Sequence, residues 1–212
     1  YGDDERADPV MRFTHDLWKN RVVPVWSQVM GKNGGWHEGG EYVGIGIGQA
    51  IFQIPYMWET VTNENFLDRL PGIRGFLDFL VYRTRPDGTH FRWGDGGYFD
   101  RLVPDRTALA SYFGHAAAFS VPRCGKSITP NTWPWGPIND LSLCDPDAIT
   151  ELPLTKHFDG IGMVVARSSW RKDASYVTFK AGNNYWSHSH LDQGAFTICL
   201  LYTSPSPRDL RL

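Results

Sequence analysis

Tyr176-Val177-Thr178-Phe179-Lys180-Ala181-Gly182-Asn183-Asn184-Tyr185-Trp186-Ser187-His188-Ser189-His190-Leu191-Asp192-Gln193-Gly194-Ala195-Phe196-Thr197-Ile198 is two β-favouring runs flanking a polar, histidine-bearing loop. Upstream, Ile161 to Ala166 is a further apolar run, separated from Tyr176 by the polar turn Arg171-Lys172-Asp173, which together predict a hairpin. If the loop is locally extended, His188, His190 and Asp192 project to one side, because strand side chains alternate with period two. Two imidazoles and a carboxylate then meet. All three on one zinc ion would crowd it, so divided roles are expected: one His at proton transfer, the other on a metal or a structural hydrogen bond, Asp192 orienting.

Working back from this segment, the chain turns helical. From Asp8-Pro9 to Met30, Val10, Phe13, Leu17, Val22, Val25, Trp26 and Val29 recur at three- and four-residue steps, with Asp8 as the expected cap and a break near Pro24. Tyr42 to Phe52 is read as helix, Asn65 to Tyr82 as a second through Phe66, Leu70, Ile73, Phe76, Leu77 and Leu80, and Asp105 to Ser120 as a third. Arg85-Pro86-Asp87-Gly88 is a turn. Between Val121 and Pro153 six prolines fall in a stretch with no period, read as a linker.

Helices first and strands later imply a multidomain α and β chain. The expected order is a helical domain over 1–121, the Pro-rich segment over 122–156, and the first strands of a β-domain over 157–198. Beyond it, 199–212 carries two Ser-Pro steps that stop a strand, and it reads as a non-native tail. The opening at Tyr1, without an initiator Met or a signal peptide, reads as truncated.

Net charge is −2 and no basic run occurs, which argues against a nucleic-acid partner; no stretch approaches a membrane span. Nine Trp, nine Tyr and twelve Phe exceed what a core of this size needs, and flat rings of this kind suit sugar faces as well as packing. Of Cys124, Cys144 and Cys199, a Cys124–Cys144 disulfide is open, leaving the third unpaired.

Three segments carry a resemblance. Trp186 to Phe196 resembles the histidine-bearing motif of heparinase II/III-like polysaccharide lyases; Gly34-Gly35-Trp36-His37-Glu38-Gly39-Gly40-Glu41-Tyr42 is similar to that family's Trp-x-Glu-Gly loop; Tyr82-Arg83-Thr84-Arg85-Pro86-Asp87-Gly88, followed by Trp93-Gly94-Asp95, resembles its Arg-Pro-Asp-Gly turn. The resemblance implies an incomplete α/α toroid followed by the start of an antiparallel β-sandwich. It further implies His188 at the substrate, His190 on a structural zinc, and a periplasmic or secreted location. The activity it implies is β-elimination from an acidic, uronate-bearing polysaccharide.

Within that expectation His37 transfers a proton or binds the uronate carboxylate, with Glu38 orienting it, and Tyr82 or Tyr98 is the catalytic tyrosine. Trp36, Tyr42 and Trp186 line the substrate cleft. Arg83 and Arg85 suit a carboxylate because the guanidinium fork makes paired charge-assisted bonds, and Asn183 and Asn184 can donate to the developing negative charge. Two other classes fit the same residues: a glycan-binding protein without catalysis, and a hydrolase using Asp95 and Glu38 as paired carboxylates.

Overall fold

The computed structural model describes residues 4–38, 42, 48–91, 93–94, 107–123, 140–185, 188–191 and 193–200. Within them, helices pack against one face of a four-stranded antiparallel sheet.

The first helical run is α1 (Ala7–Leu17), a π-turn over Trp18–Val22, and α2 (Val23–Met30). The expected break at Pro24 is absorbed by that wide turn, in which Val23 N–H donates to Trp18 O, five residues back. Proline removes one helical donor and crowds the carbonyl four residues earlier, and widening the turn ahead of it relieves both faults. Asp8 is not the cap: Arg6 holds that position, and Asp8 lies in the first turn, where its carboxylate still complements the helix dipole.

Helix α3 (Gly48–Thr62) continues the 42–52 expectation ten residues further, accommodating Pro55 internally; Tyr42 is helical and 43–47 lie outside the described residues. The single helix expected over 65–82 is divided. Leu67–Arg69 is a 3-10 turn and α4 starts only at Ile73, because Leu70, preceding Pro71, is held extended at φ −102° and ψ 97°. Helix α4 (Ile73–Tyr82) buries every residue except Arg74 and Asp78, which makes it the central element of the core. The helix expected from 105 to 120 is likewise two, α5 (Thr107–Tyr112) and α6 (Ala116–Arg123), parted at Gly114, whose φ of +62° suits glycine. His115 caps α6, its Nδ1 accepting from Ala118 N at 3.1 Å while Nε2 lies 3.0 Å from Asp78, whose other oxygen is 2.6 Å from Lys156 Nζ.

Strands β1 (Thr155–Phe158), β2 (Met163–Arg167), β3 (Tyr176–Lys180) and β4 (Ala195–Cys199) pair in sequence order, all antiparallel. The β2–β3 hairpin and β4 follow the sequence reading; β1 straddles the expected boundary at 156/157, its Thr155-Lys156-His157 carrying too little apolar content to show as a strand. Met163, Val165, Arg167, Tyr176, Thr178 and Lys180 form the buried face. Phe158 packs edge-on against Phe79 and Tyr82, and Tyr176 Oη donates to Tyr82 O at 2.7 Å, so helices and sheet share one apolar core. Each fully buried Phe there contributes about 1.5–3 kcal/mol. The opposite face is open: Phe179, Phe196 and Ile198 are 44%, 68% and 57% exposed.

The described part of the Pro-rich stretch is tied down rather than loose. Ser120 Oγ donates to Leu143 O and accepts from Asp145 N, and Trp170 Nε1 donates to Leu152 O. Cys144 is disulfide-bonded and Cys199 free; Cys124, the expected partner, lies outside the described residues. No helix among the described residues is long and apolar enough to cross a membrane.

Candidate functional site at the junction of helices and sheet

Two loops far apart in sequence meet at this junction. The first leaves α2 through Gly31 and is fixed by Asp159, whose carboxylate accepts from Lys32 N (3.0 and 3.1 Å) and Asn33 N (2.9 Å). These bonds hold the Asp159 carboxyl below the usual carboxylate range, against a larger opposing effect of burial on its own. Gly34 then passes so close to α4 that a Cβ on it would stand 2.0 Å from the Gly75 carbonyl carbon. This approach buries Trp36, which packs edge-on to Trp26 and Phe76 and donates from Nε1 to Glu38 Oε2 at 2.9 Å.

His37, between them, is half-buried, and its Nδ1 is shielded from solvent with no hydrogen-bond partner among the described residues. Burial pushes the His37 pKa below the ordinary imidazole value; the Glu38 carboxylate opposes that and the nearby His188 adds to it. His37 is therefore neutral at neutral pH. An unsatisfied shielded polar atom costs about 1–3 kcal/mol, and such atoms are expected where a ligand supplies the missing partner.

The second loop lies between β3 and β4. Gly194 N donates to Lys180 O, Gly182 N to Gln193 Oε1, and Gln193 Nε2 to Asn184 Oδ1, closing its base. Tyr185 Oη donates to Gly160 O (3.0 Å) and lies 3.3 Å from Gln28 O, and its ring stands edge-on to His37 at 5.4 Å. Ser189 Oγ donates to Tyr185 O at 2.7 Å across the bend that contains His188. The extended geometry expected here is not adopted: His188 has φ +57°, a left-handed conformation uncommon outside glycine, so period-two alternation does not carry across it. The turn instead lays the His188 ring on Tyr42, centroids 3.9 Å apart.

The structure thus brings together His37, His188, Tyr42 and, behind them, Trp36 and Glu38. Trp36 is a buried support for Glu38 rather than an exposed sugar platform. Asn184 is engaged by Gln193, and Asn183 and His190 are exposed on the same loop. Trp186, Asp192, Asp95 and Tyr98 lie outside the described residues.

The Arg-Pro-Asp-Gly segment forms its turn, with a Thr84–His90 bridge and Gly88 at φ +81°, and Arg85 and Asp87 both bond Thr89 within it. Arg83 is buried and its Nη2 donates to His90 Nδ1 at 3.1 Å; Arg85 donates to the Thr89 hydroxyl. Tyr82 is fully buried, donates to Pro153 O at 2.5 Å, and has its pKa pushed up to about 12 by burial first and then by Asp78. That phenol is a packing and hydrogen-bonding group of the core, ill suited to proton transfer at neutral pH. Tyr185 lies inside the histidine-bearing loop, but nothing in its spacing marks it; its contacts with Gly160 and His37 exist only in the fold.

The resemblance implies zinc on His190. Among the described residues no three His, Cys, Asp or Glu side chains converge, so these donors do not by themselves make up a zinc site. Compared with family models and with curated proteins, the chain matches none.

Proposed function

We propose that this chain is a polysaccharide lyase of the heparinase II/III-like kind, cleaving a uronic-acid-containing glycan by β-elimination. In this reading the helices are part of an α/α toroid and the sheet opens an antiparallel β-sandwich, whose second layer suits the apolar outer face at Phe179, Phe196 and Ile198. One observation carries the proposal: His37 and His188, 151 positions apart, lie within electrostatic reach of each other, with Tyr42 against the second.

Elimination needs the C5 proton removed, the carboxylate-stabilised carbanion held, and the C4 oxygen protonated as it leaves. His188, exposed at the bend, takes the C5 proton; the C5–H electron pair forms the C4–C5 double bond as the C4–O bond breaks. His37, kept neutral, offers a hydrogen bond to the uronate carboxylate, where negative charge grows. With Tyr82 engaged in the core, Tyr42 is the described tyrosine at His188, and its hydroxyl protonates the leaving oxygen.

The test is incubation of the purified chain with a panel of uronate polysaccharides while following the ultraviolet absorbance of the unsaturated product. His188→Ala is expected to lower the rate by about 10²–10⁴-fold with the fold intact. A glycan-binding protein would retain polymer without absorbance, and a hydrolase would yield reducing ends without it. Near-normal turnover by His188→Ala overturns the assignment.

A further inference from the structure

We propose that Tyr185 is a positioning residue that sets the His188 ring over Tyr42 and against the His37 loop. Its hydroxyl reaches out of the β3–β4 loop to Gly160 O, in the turn between β1 and β2, and to within 3.3 Å of Gln28 O in α2. Its ring stands edge-on to His37 at 5.4 Å. Its own carbonyl accepts from Ser189 Oγ, one residue past His188. One side chain thus contacts the helix, the sheet turn and the first imidazole, while its main chain clasps the bend holding the second. Gly160 leaves no slack under this anchor, since a Cβ on it would sit 2.1 Å from Val29 O.

A left-handed non-glycine residue persists only where its surroundings hold it, and here the clasp and the anchor do so. Tyr185 is not itself offered as acid or base, because its hydroxyl is spent on main-chain oxygens. The consequence for turnover rests on the lyase reading above; the placement of His188 does not.

The experiment compares the chain with Tyr185→Phe, which keeps the ring and removes the anchor, and Tyr185→Leu, which removes both. The readout is the nuclear Overhauser effect between the His188 and Tyr42 ring protons, alongside thermal melting, kcat and KM. We expect a clear cross-peak in the parent chain, its loss in Tyr185→Phe with cooperative melting retained, and kcat lower by about 10- to 100-fold with KM changed far less, because an ångström of misplacement has that effect. Should Tyr185→Leu fail to fold, Tyr185→Phe alone decides. A cross-peak of parental intensity in Tyr185→Phe, or none in the parent chain, overturns the proposal. If the cross-peak is lost on substitution but the parent chain forms no unsaturated uronate, the positioning role stands and the lyase reading falls.

Discussion

Replacing Gly34 by Ala separates a tight backbone contact from simple glycine preference. At φ +85° an alanine there pays about 1–2 kcal/mol for left-handed backbone, and its Cβ would lie 2.0 Å from the Gly75 carbonyl carbon and 2.2 Å from its oxygen. Real Cβ contacts essentially never fall under 3.0 Å, so loop and α4 must part by about 1 Å. Overpacking of this kind typically adds 1–3 kcal/mol, giving roughly 2–5 kcal/mol in all. Gly88, at φ +81° with nothing within 4 Å of its Cβ position, carries the backbone cost alone, about 1–2 kcal/mol. At about 2–4 °C per kcal/mol for a chain of this size, Gly34→Ala should melt roughly 4–20 °C lower, and Gly88→Ala only a few degrees lower. Circular dichroism melts of the two variants, run side by side, decide it. Equal losses would refute the close approach of the His37 loop to α4.

Other substitutions probe the electrostatics. Glu38→Gln removes the charge that raises His37, so the His37 pKa should fall further, while His188→Ala should raise it; NMR titration of the His37 ring checks both signs, and shifts in one common direction would contradict the site. His90, its pKa pushed down to about 3 by burial and by Arg83, stays neutral in the fold but protonates near 6.5 when unfolded. Its contribution is thus present above pH 6.5 and lost as pH falls towards 3, at about 1.4 kcal/mol per unit. Urea unfolding from pH 7 to 4 should show a shallower loss for His90→Gln, and parallel curves would count against it. Asp78, held below the usual range by His115 and Lys156 despite burial, stabilises above the ordinary carboxylate pKa of about 3.9 and loses that as pH falls below it. Asp78→Asn should cost about 1–3 kcal/mol at pH 7 and flatten the acid limb below pH 4, and unchanged stability at pH 7 would rule the network out as a brace.

The helices α1, α2 and α4 and the strands β2 to β4 were legible because their apolar residues repeat at the helical or strand period. Boundaries went astray where one residue overrode the pattern: Pro71 and Gly114 each cut a periodic stretch in two, and the π-turn before Pro24 joined what looked broken. In the site, His37 and His188 were readable as chemistry-bearing residues in Gly- and Asn-rich loops. The conformation of His188 was not: its left-handed backbone, and the Ser189 and Tyr185 bonds beside it, arise only in the fold. Tyr82, Arg83 and Arg85 stand out in the sequence by residue type alone, and their hydrogen bonds to Pro153, His90 and Thr89 give them structural work that spacing cannot reveal.

The most direct test of the lyase reading is digestion of a uronate polysaccharide in water enriched in oxygen-18, followed by mass spectrometry of the oligosaccharides. Elimination predicts chains ending in an unsaturated uronate, with no water added and no heavy oxygen gained in the bond-breaking step. Products that each carry one added heavy water, with saturated ends, would mean hydrolysis and would contradict the roles given to His188 and His37.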